Sequence, residues 1–127
     1  MKKTKRSIKW INKDNKKIYA GIHLIAEFWS GRIIESPQKI KRILIESAKK
    51  AKNTPLEVAI HKFQPQGLTG VVLLAESHIA IHTWPQINYV AIDIFTCGKK
   101  AMPEVALSVL KKYFKPKKVK IIKLKRG

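Results

Sequence analysis

The four residues Gln64-Pro65-Gln66-Gly67 separate two β-type runs of different character, and this junction constrains the fold more than any other stretch. Before it, Pro55 to Phe63 sets Leu56, Val58 and Ile60 against Glu57 and His61, the period-two pattern of a half-buried strand. After it, Leu68 to Leu74 is apolar throughout, which suits a strand in the middle of a sheet. Tyr19 to Phe28 and Tyr89 to Phe95 read as further strands, and Lys117 to Lys125 as a last, lysine-laced one. Two helices interrupt the series. Ser36-Pro37 supplies an N-cap and a proline at the first helical position, and Ile40, Ile43, Leu44, Ser47, Ala48 and Ala51 then recur at helical spacing, with Lys39, Lys41, Arg42, Lys49 and Lys50 mostly toward solvent. Pro103 opens a second helix along Val105, Ala106, Val109, Leu110 and Tyr113. The order β-α-β-β-β-α-β predicts an α+β two-layer sandwich, a mainly antiparallel sheet with both helices on one face. The bare face then needs a cover, and an isologous dimer stacking sheet on sheet (α/β/β/α) supplies one.

A chain of 127 residues has room for one core. Its net charge of +19 invites a polyanion partner. The charge is peripheral, however. Residues 1–17 hold eight basic groups and one acid and residues 111–127 hold nine and none, against ten and seven between them. The chain therefore divides into a basic N-terminal extension, 1–17, and a single domain, 18–127. A nucleic-acid-binding module, with Lys117 to Arg126 tracking phosphates, is the non-enzymatic alternative. Lysines also guard an edge strand against aggregation, and no basic-aromatic RNA platform is present, so nucleic-acid contact by the termini is not favoured. No stretch approaches the roughly 20 apolar residues of a membrane span, and MKKTKRSIKW has no apolar run behind its basic start, so neither a membrane partner nor a secretory leader is expected. A single cysteine excludes an internal disulfide and fits the cytoplasm.

The unusual chemistry gathers between Glu76 and Cys97, where Ser77, His78, His82, Trp84 and Cys97 stand among apolar neighbours. Taken singly, each is a buried side chain that needs only a partner. His78 and His82 have ligand spacing on a helix, but on a strand they lie about 13 Å apart, with no acid or second thiolate beside them, so no metal is expected. A hydrolase is disfavoured too. Ser77 lies between Glu76 and His78 rather than in a G-x-S-x-G elbow, and Cys97 opens onto Gly98. On one regular strand Ser77 and His82 would face opposite ways, so any cooperation between them demands a break near Glu76-Ser77.

F-x-P-x-G-x-x-G (Phe63 to Gly70), E-S-H-x-x-x-H-T-W-P (Glu76 to Pro85) and D-x-F-T-C-G (Asp93 to Gly98) stand in that order, with H-L-x-A-E-F (His23 to Phe28) upstream. From about Tyr19 to the C-terminus the chain resembles the small prokaryotic S-adenosylmethionine decarboxylase proenzymes. The resemblance implies self-cleavage between Glu76 and Ser77, giving a β chain 1–76 and an α chain 77–127 headed by a pyruvoyl group made from Ser77. Ser77 then holds the substrate as a Schiff base, His82 is the proton acceptor in processing, and Cys97 is the proton donor in decarboxylation. Thr69, where the family commonly has serine, supports processing as an oxyanion donor. Phe63 matches a family aromatic that stacks on adenine. Gln86, where the family usually has Glu, meets the ribose hydroxyls, with a weaker neutral bond and without the negative charge that favours a sulfonium substrate.

The expected activity is conversion of S-adenosylmethionine to its decarboxylated form and carbon dioxide for polyamine synthesis, by a homodimer of αβ units. Arginine decarboxylase on the same scaffold is the enzymatic alternative, although G-L-T-G-V-V and I-F-T-C-G look more like the S-adenosylmethionine branch.

Overall fold

The computed structural model describes residues 20–97 and 102–127; the basic extension 1–17 lies outside them, as does the Tyr19 start of the first expected strand. The elements are β1 (Gly21–Trp29), α1 (Pro37–Lys50), β2 (Pro55–Lys62), β3 (Leu68–Leu74), β4 (Ser77–Trp84), a 3-10 turn (Pro85–Ile87), β5 (Tyr89–Cys97), α2 (Pro103–Phe114) and β6 (Lys118–Arg126). One sheet of order β2-β3-β4-β5-β1-β6 contains all six strands, and every neighbouring pair is antiparallel. The expected element order is thus short by one strand. β4 alternates Ile79, Ile81 and Thr83, which are buried, with His78, Ala80 and His82, which are half-buried. Its polar positions drew attention to chemistry when their spacing was that of a sheet.

Both helices lie on one face. Ser36 caps α1 by accepting from the Lys39 N–H at 3.2 Å, with Pro37 at the first helical position. Ile40, Ile43, Leu44 and Ala48 of α1 and Ala106, Leu107, Leu110 and Phe114 of α2 join Leu24, Phe28, Val72, Ile79, Ile81, Ile92 and Ile94 of the sheet in one core. Each such Leu or Ile contributes on the order of 2 kcal/mol by leaving water, and Leu44→Ala would cost about 2–5 kcal/mol. α1 rests directly on β3 because Gly70 has no side chain: a Cβ there would lie 3.2 Å from Leu44 Cδ1 and 3.3 Å from Ile40 Cγ2.

The opposite sheet face carries no helix. By strand parity it displays His23, Ile25, Glu27 and Trp29 of β1, Tyr89, Asp93 and Phe95 of β5, His78, His82 and Trp84 of β4, and Thr69 and Leu73 of β3. All the expected chemistry on strands lies on this face or at its ends.

Candidate active site

The hairpin between β3 and β4 is as short as a hairpin can be. Leu74 pairs with Ser77, leaving only Ala75 and Glu76 in the turn. Thr54 ties that turn to the start of β2. Its carbonyl accepts from the Ala75 N–H at 3.0 Å, its N–H donates to Glu76 Oε1 at 2.9 Å, and its hydroxyl donates to Glu76 Oε2 at 3.3 Å. On the other side the Glu76 carbonyl oxygen accepts from the Cys97 N–H at 3.1 Å and the Cys97 thiol at 2.9 Å. The carbonyl of the Glu76–Ser77 peptide therefore already has two donors where an oxyanion would form if Ser77 attacked it.

Ser77 itself has φ +151°, a region costly for a residue with a side chain, at about 1–3 kcal/mol. The break required between Ser77 and the rest of the strand falls on Ser77. Its hydroxyl oxygen lies 3.2 Å from Nδ1 of His78, its own neighbour. The His78 ring stacks on Phe95 at 6.1 Å, and Phe95 also meets the His23 ring edge-on at 5.6 Å and the Arg126 guanidinium at 4.7 Å. His23 Nε2 is 2.9 Å from Asp93 Oδ1. Burial, then His23, lowers the His78 pKa below the ordinary 6.5; Asp93 opposes this and Arg126 adds to it.

A second cluster lies toward the other end of β3 and β4. Thr69 Oγ1 is 3.0 Å from His82 Nδ1, so Thr69 engages the histidine and the Glu76 carbonyl is served by Cys97. Trp84 follows His82 at 6.1 Å between ring centroids, and a row Trp84–Tyr89–Trp29 continues at 5.4 and 5.7 Å. The Tyr89 hydroxyl donates to Glu27 Oε1 at 2.8 Å. Burial and this carboxylate push the phenol up to about 12. Phe63, 47% exposed, closes the β2–β3 turn by donating its N–H to the Gly67 carbonyl at 2.8 Å. Gly67 has φ +93°, and a Cβ on it would meet the Thr83 carbonyl oxygen at 2.9 Å, so only glycine lets this turn lie against the end of β4. Gln86, exposed on the 3-10 turn, follows directly after Pro85 at the same end.

The expected residues thus fall into two groups. Glu76, Ser77 and Cys97 stand together at one end of the bare face, and Phe63, Thr69, His82 and Gln86 gather toward the other. Ser77 and His82 are five positions apart along β4, about 17 Å of strand. The chain's own His82 does not reach its own Ser77. Residue spacing presents His78 only as a metal ligand or a satisfied side chain; its contact with Ser77 follows from the kink at Ser77, which spacing does not encode. The Thr69–His82 pairing, by contrast, follows once a two-residue turn is placed at Ala75-Glu76. Among the described residues no three His, Cys, Asp or Glu side chains gather as a metal site.

A family model described as S-adenosylmethionine decarboxylase matches residues 22–127. The chain is 42% identical over 109 residues to an S-adenosylmethionine decarboxylase proenzyme of Methanococcus vannielii, covering 84% of this chain and 89% of that one. It is 45% identical over 109 residues to one of Acetivibrio thermocellus, with 84% and 88% covered. The fold is similar to the crystal structure of the adenosylmethionine decarboxylase from Aquifex aeolicus, with a TM-score of 0.81 at 33% identity over 87% of this chain and 92% of that one.

Proposed function

The chain belongs to the S-adenosylmethionine decarboxylase family, and on that premise we propose that it is a proenzyme that cuts itself between Glu76 and Ser77 and then decarboxylates S-adenosylmethionine for polyamine synthesis. The observation that carries this reading is the Glu76 carbonyl, held by two donors from Cys97 and followed by a backbone strained at Ser77. In the first step Ser77 Oγ bonds to the Glu76 carbonyl carbon and the C–N bond breaks, leaving an ester and a free Ser77 amine. Loss of the Ser77 α-proton then expels the Glu76 carboxylate, which frees residues 1–76, and water hydrolyses the dehydroalanine left at position 77 to a pyruvoyl head with release of ammonia.

The residues present suit that group. Position 77 is half-buried at the end of the bare face, and the Cys97 thiol donates to the carbonyl just before it. Once formed, the pyruvoyl group supplies a carbonyl that takes up the substrate amine and accepts the electrons left by carbon dioxide. Cys97 is the proton donor to the substrate α-carbon, because a thiol is mostly protonated at neutral pH.

His82 serves as the processing base from a second copy. Stacked sheet on sheet about a two-fold axis, two chains would present the His82 end of each to the Ser77 end of the other. Phe63, Thr69 and Gln86 come with it, so each site draws its adenosine-binding residues and its base from the partner subunit. Exposed Leu73, Trp84, Ile122 and Leu124 on that face favour burial against such a copy. β6 commits Lys118, Lys123 and Arg126 to Trp29, Glu104 and Phe95, which leaves less for phosphates and disfavours the nucleic-acid reading. No helix among the described residues is long and apolar enough to cross a membrane, and a reducing cytoplasm suits the thiol that this chemistry needs.

A denaturing gel and mass spectrometry test the processing. Wild type should give fragments 1–76 and 77–127, and Ser77→Ala one intact chain. Carboxyl-labelled S-adenosylmethionine should release carbon dioxide and carboxyl-labelled arginine should not. An intact wild type, or release from arginine alone, would overturn the proposal.

A further inference from the structure

The first step of processing needs a base for the Ser77 hydroxyl, and neither the thiol nor His82 supplies it. Cys97 directs both its donors at the Glu76 oxygen, the chain's own His82 lies about 17 Å of strand away, engaged with Thr69, and the His82 of a second copy is already given to the α-proton. The Glu76 carboxylate is turned back onto Thr54, and the Asp93 carboxylate is held by His23. Among the described residues, the basic group in hydrogen-bonding contact with Ser77 Oγ is Nδ1 of His78, at 3.2 Å. We propose that His78 is the base of the acyl shift: Nδ1 takes the hydroxyl proton as Ser77 Oγ bonds to the Glu76 carbonyl carbon, and returns it to the Ser77 nitrogen as the C–N bond breaks. The proton count closes on the histidine, which ends as it began. This role rests on the self-processing proposed above and adds a second histidine to it, with His78 acting on the oxygen and His82 on the α-carbon.

The surroundings fit a ring that must start neutral. Phe95 of β5 stacks on it, and Leu73 of β3 stands across from it. The titratable and charged groups facing it are His23 of β1, Asp93 of β5 and Arg126 of β6, with Ser77 on its own strand. Burial first and then His23 lower its pKa from the ordinary 6.5, Arg126 adds to this, and Asp93, which opposes it, is paired with His23.

The test is the processing rate of freshly refolded chain. His78→Gln keeps a hydrogen-bond acceptor but no base and should cleave at least 100-fold more slowly than wild type. Its thermal midpoint, compared with that of Ser77→Ala, reports whether the fold is kept. Hydroxylamine cuts esters and so reads which step has stopped. A His82→Ala chain should accumulate ester and be cut at Glu76, whereas the His78→Gln chain should hold none.

The wild-type rate should fall on the acid side with a midpoint below pH 6.5, and the residual His78→Gln rate should lack that limb. Added imidazole should speed His78→Ala, which a purely structural role would not allow. A His78→Gln chain that keeps within threefold of a cleaving wild type, or that accumulates ester, overturns this inference alone. A wild type that never cleaves overturns the self-processing reading with it.

Discussion

Cys97 donates twice to the carbonyl oxygen of Glu76, from its backbone N–H at 3.1 Å and from its thiol at 2.9 Å. The two residues are 21 positions apart and meet because β4 and β5 pair antiparallel, bringing the last residue of β5 beside the turn that opens β4. A cysteine proposed as the decarboxylation acid therefore also contacts the bond proposed to break first. Cys97→Ala keeps the N–H and loses the thiol, and should slow self-cleavage by about 100-fold, the usual effect of removing one donor from an oxyanion site. Cys97→Ser should recover most of that rate while remaining slow in decarboxylation. Gel-based processing rates and carbon dioxide release measure the two separately.

The separation of Ser77 from His82 along β4 predicts complementation. On the proposed roles, Ser77→Ala cannot be cut and His82→Ala lacks the elimination base. Refolded together, the two should form mixed dimers in which the Ser77→Ala copy lends its His82 to the His82→Ala copy. Only the His82→Ala chain should then be cleaved. Mass spectrometry of the mixture against each variant alone checks this, and no cleavage in the mixture counts against a shared site.

The φ of +151° at Ser77 makes a stability prediction independent of chemistry. Ser77→Ala and Ser77→Gly are both uncleavable, yet glycine tolerates this backbone and alanine does not. The glycine variant should be the more stable by about 1 kcal/mol, roughly 4 °C in thermal midpoint for a domain of this size.

Tyr89 gives a pH signature. Its phenol is pushed up to about 12, first by burial and then by the Glu27 carboxylate. An unfolded tyrosine ionises near 10, so the unfolded chain gives up this proton first as pH rises. The stabilising contribution is complete below about pH 10 and is lost between about 10 and 12. An ultraviolet difference titration against Tyr89→Phe should place the midpoint near 12, and Glu27→Gln should lower it without returning it to 10, because burial remains.

Local signals in the sequence carried the fold well. Ser36-Pro37 marks the start of α1, Leu68 to Leu74 coincides with β3, and Pro103 opens α2, because capping, apolar runs and proline act over a few residues. β4 is absent from the element order expected of the sequence because its half-buried positions carry histidines, which read as chemistry before they read as one face of a strand. Ser77, His82 and Cys97 were legible as reactive types in matching motifs. Their division into two groups was not, because it depends on the register of β3, β4 and β5. The Thr54 anchor on Glu76 and the contact of Ser77 with His78 depend on a kink and a turn whose geometry no residue spacing specifies.

The cut proposed at Glu76–Ser77 falls in a turn of two residues, between strands that remain laddered from Thr69–His82 to Leu74–Ser77. Severing it touches only the last rung, Leu74–Ser77, whose Ser77 nitrogen is lost, so the fragments stay woven together while native. Their history changes all the same. The proenzyme folds as one molecule, at a rate independent of its concentration, whereas the mature enzyme, once denatured, must find its other half. Renaturation becomes second order, the pyruvoyl end has no route back to serine, and dilution alone should decide whether a heated sample recovers.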